Sequence, residues 1–163
     1  MRPRSLFRLA LLAAAVVLAA GCGGGSDCGP SRAEVARVID GDTIELADGQ
    51  RVRYLMIDTP ESTGGASECY GQQAADYNAM LVAERRVRLR YDSQCRDQYD
   101  RLLAYVEVDG VEVNLRLVEE GYACVLVIPP NGEQRRQQYE AAEFEARQLG
   151  RGMWGACEEV GCE

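Results

Sequence analysis

Between Glu34 and Met56 apolar and polar residues alternate in three short runs, and an Asp-Gly pair stands at each break. Val35, Arg37 and Ile39 lead to Asp40-Gly41, Ile44 and Leu46 lead to Asp48-Gly49, and Val52, Tyr54 and Met56 follow. A period of two sends successive side chains to opposite faces, and Asp-Gly favours a tight reversal of the chain. The segment therefore reads as three consecutive antiparallel strands.

The remainder is consistent with a small barrel. Gln73 to Arg86 places Ala74, Tyr77, Met80, Leu81 and Glu84 at helical spacing. Val87, Leu89 and Tyr91 read as a fourth strand, and Leu103, Tyr105 and Val106 as a fifth. Asn114 is placed to cap a short helix ending at Gly121. Tyr122 to Ile128 is an apolar run stopped by Pro129-Pro130-Asn131-Gly132, and a last helix is expected from about Glu133 to Leu149. The fold class is α+β, mainly β: a five-stranded OB-type barrel with three helices.

The N-terminus reads as a targeting segment. Arg2, Arg4 and Arg8 precede the apolar stretch Leu9 to Ala20, which is short for a bilayer span. Leu18-Ala19-Ala20-Gly21-Cys22 and the glycines after it resemble a bacterial lipoprotein signal, with Cys22 lipidated. An ordinary signal peptide, leaving Cys22 a free thiol, is the alternative. The expected organisation is a signal at 1–21, a flexible tether at 22–32, a globular domain at 33–157 and a tail at 158–163. The expected location is outside the cytoplasm, anchored to the cell envelope through Cys22. Without Cys22 six cysteines remain, an even set suited to disulfides in an oxidising compartment. Zinc is disfavoured, since there is neither a C-x₂-C spacing nor any histidine. Beyond the signal, 15 arginines face 26 acidic residues, a net charge of −11 that opposes long-range attraction to a polyanion.

With no histidine, hydrolytic chemistry must use carboxylates, arginines and a hard metal. Three phrases supply them in order: Val38-Ile39-Asp40-Gly41-Asp42-Thr43, Arg53-Tyr54-Leu55-Met56-Ile57-Asp58-Thr59-Pro60-Glu61, and Asp97-Gln98-Tyr99-Asp100-Arg101. Asp42 and Asp58, at the ends of neighbouring strands, with the carbonyl of Thr59, form a hard-oxygen set suited to Ca²⁺. Glu61 is positioned to act as a general base on water. Arg53 and Arg101 can grip a phosphate and offset charge developing on it. Taken singly, each phrase also reads as a turn, a solvated strand face or a surface ion pair. A serine or cysteine hydrolase is disfavoured, because no G-x-S-x-G phrase occurs.

These phrases resemble the staphylococcal nuclease (thermonuclease) family, and the likeness extends from about Val35 to Trp154. Cys69-Tyr70-Gly71, Leu103-Ala104-Tyr105-Val106, Gly121-Tyr122-Ala123, Pro130-Asn131 and Gly152-Met153-Trp154 also fit it. The resemblance implies an OB-fold enzyme that hydrolyses DNA and RNA with Ca²⁺. Asp42, Asp58 and Thr59 would bind the metal, and Glu61 would be the base. Arg53 and Arg101 would contact the scissile phosphate, and Tyr99 a terminal phosphate of the bound nucleotide. It also implies the pairings Cys69–Cys95, Cys124–Cys157 and Cys28–Cys162, and a monomer. Three positions depart from the family. Asp100 stands where glycine is common, so its charge is placed to draw Arg101 from the phosphate. Gln98 replaces a lysine, and Leu126 and Ile128 replace base-stacking aromatics. The alternative these departures raise is a nuclease-fold binding module at the envelope that has lost its chemistry.

Overall fold

A computed structural model describes residues 28–62 and 68–161. The signal segment, Cys22 and Cys162 lie outside the described residues. The elements in chain order are β1 (Arg32–Val38), β2 (Thr43–Leu46), β3 (Arg51–Tyr54), β4 (Ile57–Asp58), α1 (Gly71–Val82), β5 (Arg86–Arg90) and β6 (Leu102–Val108). They continue with β7 (Val111–Glu112), α2 (Val113–Glu119), β8 (Cys124–Val125), α3 (Arg136–Gln148) and the single turn α4 (Met153–Ala156).

The antiparallel meander β1-β2-β3 forms as the alternation requires, with Val38 opposite Ile44 and Ile44 opposite Val52. β5 pairs with the first half of β1, Arg32 opposite Arg88, and β6 pairs with β5. A parallel pairing of β6 with β3, Val52 opposite Leu102, closes five strands into a barrel. β1 serves two neighbours because its register shifts between Val35 and Arg37, an irregularity that bends the strand around the barrel corner. Ile44, Leu46, Val52, Tyr54, Val87, Leu89, Leu102, Ala104 and Val106 are all buried in the core.

Several element boundaries differ from the sequence reading. α1 starts two residues earlier and stops at Val82, because Glu84 takes a left-handed conformation and Arg86 already belongs to β5. Met56 does not extend β3; at φ 71° it turns the chain toward β4. Asn114 is no cap. It lies inside α2, fully buried, where its Oδ1 accepts from the Val106 amide at 2.9 Å and its Nδ2 donates to the carbonyls of Leu55 and Ala104. It thus satisfies backbone groups where β6 parts from β3. The apolar run at 122–128 contributes only the short β8, which pairs with β4.

The disulfide connectivity also differs. Cys28 bonds Cys95 across Cα atoms 5.2 Å apart, and Cys69 bonds Cys157 at 6.0 Å. These replace all three expected pairings: Cys69–Cys95, Cys124–Cys157 and Cys28–Cys162. Cys124 is disulfide-bonded as well. The reason is the path of the chain into β1. The Leu89 amide donates to the Ser31 carbonyl, and the Tyr91 hydroxyl to that of Pro30. The entering segment therefore runs beside the end of β5 and meets Cys95 there. Residues 28–32, read from sequence as part of a flexible tether, are fastened to the barrel wall.

Candidate active site

Asp42 leaves the turn before β2 and is only 5% exposed. Its Oδ1 accepts from the Thr43 hydroxyl at 3.0 Å, and its Oδ2 from the Thr59 amide at 3.0 Å and hydroxyl at 3.1 Å. Gly41 permits this meeting of two distant phrases. A Cβ there would lie 2.6 Å from Thr59 Oγ1 and 2.8 Å from its Cβ, so any side chain would push Thr59 off Asp42.

Arg53 joins the phrases a second time. Its Nη1 lies 3.1 Å from Asp42 Oδ2 and donates to the carbonyls of Ile57 (2.7 Å) and Tyr54 (3.1 Å), while Nη2 donates to Asp58 Oδ1 at 2.6 Å. Both carboxylates of the expected metal set thus converge on one guanidinium. Burial pushes the Asp42 carboxyl up to about 7, opposed by Arg53 and the Thr59 amide and reinforced by Asp40 and Asp58.

Glu61 follows on the exposed segment after β4, where its amide donates to Glu68 Oε2 at 2.8 Å. Partial burial raises its carboxyl above the ordinary value; Asp40, Asp58 and Glu68 add to this and Arg53 opposes it. It therefore sits within the electrostatic reach of the Asp42–Asp58–Arg53 group.

Arg101 is positioned by a residue the sequence reading quoted without a role. Asp97 Oδ2 accepts from Arg101 Nε at 2.7 Å, and its Oδ1 from the amides of Tyr99 and Arg101, each at 2.9 Å. Burial acts to raise the Asp97 carboxyl, but these bonds and the Arg101 charge outweigh it and hold it below the ordinary value. The Nη nitrogens of Arg101 have no hydrogen-bond partner among the described residues. Asp100 does adopt the left-handed backbone suited to glycine, φ 63°. Its carboxylate meets Arg96 Nη1 at 3.2 Å instead of drawing Arg101 aside.

Arg53, Arg101 and Tyr99 line one cavity of about 410 Å³, together with Leu126, Ile128 and Asn131. Tyr99 is 71% exposed, and the Arg101 guanidinium lies 5.6 Å from its ring centroid. Asp42, Asp58 and Glu61 do not line this cavity; Arg53 links them to it. Sequence reasoning missed Asn78, which accepts from the Tyr54 hydroxyl at 2.9 Å and donates to the Asp40 carbonyl at 3.0 Å. A buried amide between Ala74 and Val82, one turn from each on α1, was the available signal.

The donors suit a hard cation, since Asp42, Asp58 and the Thr59 carbonyl are all oxygen ligands. Among the described residues no three acidic or cysteine side chains gather as a metal-binding group. Two carboxylates alone form a weak cage for such a cation.

Comparison with known proteins identifies the family. The family model described as "Staphylococcal nuclease homologue" matches residues 51–156. A thermonuclease of Staphylococcus intermedius is 39% identical over 125 residues, covering 74% of each chain. Endonuclease YncB of Bacillus subtilis is 39% identical over 125 residues, covering 72% of this chain and 59% of its own. An uncharacterized endonuclease of Escherichia coli O157:H7 is 34% identical over 143 residues, covering 82% of this chain and 83% of its own. With the closed barrel, the Asp42–Arg53–Asp58 group and these matches together, the chain belongs to the staphylococcal nuclease family.

Proposed function

We propose that this protein is a calcium-dependent nuclease that hydrolyses phosphodiester bonds of DNA or RNA outside the cytoplasm. The observation that carries this reading is the convergence of Asp42 and Asp58 on Arg53, a residue that shares its cavity with Arg101. Its relatives named thermonuclease and endonuclease support the reaction class.

Asp42, Asp58 and the Thr59 carbonyl would hold Ca²⁺. When bound, the ion would supply positive charge against the phosphate and its transition state. Arg101, with both Nη nitrogens available and its Nε edge fixed on Asp97, is set to donate to the non-bridging phosphate oxygens. Arg53 adds a second guanidinium at the same cavity. Glu61, its carboxyl raised, accepts the proton of the attacking water as the water oxygen bonds to phosphorus; the ester P–O bond breaks and the leaving oxygen takes a proton from solvent to depart as the alcohol. Tyr99 places a hydroxyl and a ring face at the cavity mouth, suited to the neighbouring nucleotide. Leu126 and Ile128 offer the base an apolar surface without a ring to stack on.

The disulfides support an oxidising, extracytoplasmic setting. Lipid anchoring at Cys22 rests on the signal-like sequence alone and is part of the proposal, as is the monomeric state.

Cleavage of fluorescent single-stranded DNA by the disulfide-bonded domain, with Ca²⁺ against EDTA, tests the reading. Calcium-dependent cutting, lowered about 10²- to 10³-fold by Arg101→Ala and by Glu61→Gln, is the expected result. A folded protein that binds DNA but never cuts it would instead favour the binding module.

A further inference from the structure

A second groove, of about 510 Å³, shares Tyr99 and Arg101 with the first cavity and lies between the β2–β3 turn and the loop before β6. We propose that this groove is a second phosphate subsite, in which Arg51 and Arg96 hold the phosphate adjacent to the one gripped by Arg53 and Arg101. The substrate it fits is a single-stranded oligonucleotide in preference to an isolated diester. This inference rests on the nuclease reading above.

The placement follows from the barrel closure. Val52 and Tyr54 of β3 face the core, so Arg51 and Arg53 share its outer face, two residues or roughly 6.8 Å apart. That interval is comparable with the spacing of successive phosphates in an extended single strand. The parallel register sets Val52 opposite Leu102 and Arg53 opposite Leu103, and Arg51 and Arg101 immediately precede the first paired residues and line the same groove. Arg96 reaches the same strand from the other side through a bridge to Leu102. Arg51, Arg96 and Arg101 thus line one groove, next along β3 to Arg53.

Their partners leave them suited to an anion. Arg96 is held in place, with Nη2 donating to Gln50 Oε1 at 2.7 Å and Nη1 to the Asp100 carbonyl at 2.8 Å. Among the described residues Arg51 forms an ion pair only with Glu45, at 3.8 Å, and Glu45 is already engaged by Arg37 at 2.7 and 3.2 Å. Among the described residues Asp100 is the single acidic side chain lining the groove; it is 86% exposed, so solvent screens its hold on Arg96. In a chain this acidic, such a row reverses the local sign where a polyanion must enter.

The test compares wild type with Arg51→Gln and with the Arg51→Gln/Arg96→Gln double variant. One probe is a fluorescent single-stranded deoxyoligonucleotide about ten residues long; the other is a dinucleotide with one diester and no second phosphate. Anisotropy in EDTA over a salt series reads binding without the chemistry, and cleavage in Ca²⁺ reads turnover. The double variant should bind the oligonucleotide roughly tenfold more weakly, and its log–log salt slope should be shallower by about 0.7, the value of one lost phosphate contact. Arg51→Gln, which removes no hydrogen bond, should weaken binding about threefold with the fold intact. Dinucleotide kcat/KM should be unchanged. Unaltered oligonucleotide affinity and slope would overturn the subsite, as would an equal loss on the dinucleotide, which would make the arginines mere braces for Arg101. Absence of oligonucleotide binding by wild type would also overturn it. If wild type binds the oligonucleotide yet cuts neither probe, the nuclease reading fails while the subsite stands or falls on the binding data.

Discussion

The two halves of the candidate site are built in opposite ways. Asp42, Arg53 and Asp58 sit on or beside barrel strands, with Asp42 nearly sealed from solvent and bonded to residues 17 positions away. Asp97, Tyr99 and Arg101 lie on an exposed loop, and their bonds to one another span at most four residues. The carboxylates diverge accordingly: burial pushes Asp42 up to about 7, while local hydrogen bonds overcome burial at Asp97 and hold it low. The wall positions its groups through the fold, and the loop through its own short-range bonds. A change in the wall should therefore disturb stability and chemistry together, whereas a change in the loop should touch chemistry alone.

The sharpest way to break this contrast is a pair of arginine variants. Arg53→Gln removes the guanidinium from between two carboxylates, one of them buried. We expect a loss of about 3 to 5 kcal/mol in urea unfolding together with loss of cleavage. Arg101→Gln should lower kcat by about 10²- to 10³-fold but shift stability by less than about 1 kcal/mol. Equal stability losses in the two variants would erase the distinction.

The loop is tied at long range by the Arg96–Gln50 and Gln94–Asn131 hydrogen bonds and, covalently, by the Cys28–Cys95 bond, which closes 67 residues of sequence separation. Replacing both cysteines with serine should cost about 2 to 4 kcal/mol, measured by thermal or urea unfolding. Because Asp97 still orients Arg101 locally, kcat should fall far less than in Arg101→Gln.

Acid should separate the regions further. Burial would raise Asp92, but bonds from the amides of Gly132 and Ser93 and from the Ser93 and Tyr105 hydroxyls hold its carboxyl below the ordinary value. Its folded value is thus lower than its unfolded one, so its contribution is complete above about pH 4 and is lost as pH falls through the lowered value. Asp92→Asn should cost about 1 kcal/mol at pH 7 and reduce the loss of stability on acidification below pH 4. The urea midpoint measured from pH 7 to pH 3 checks both.

The smallest expected effect is at Asp100. Asparagine tolerates its left-handed backbone and removes the charge that competes for Arg96. Asp100→Asn should tighten single-stranded DNA binding about threefold, read by anisotropy at low salt, without altering kcat.

Much of the fold was legible because its signals are local. The alternation from Val35 to Tyr54 and the turns at Gly41 and Gly49 specify a meander whatever lies beyond it, and the observed registers follow that pattern. The motif phrases likewise identified Asp42, Arg53 and Asp58, which the structure brings into direct contact. Helix ends were less legible: a left-handed Glu84 and the pairing of Arg86 into β5 ended α1 sooner than its periodicity suggested.

By itself, then, the sequence determined which segments alternate, where they turn and which carboxylates and arginines are candidates for the site, since each depends on neighbours in the chain. Tertiary structure alone decided that Cys28 meets Cys95 and Cys69 meets Cys157. It also decided that Asn114 and Asn78 brace backbone carbonyls and that Arg51 and Arg101 line one groove. All of these depend on how segments far apart in sequence come together once β6 closes against β3, and a local pattern carries no record of a distance spanned only when the barrel shuts.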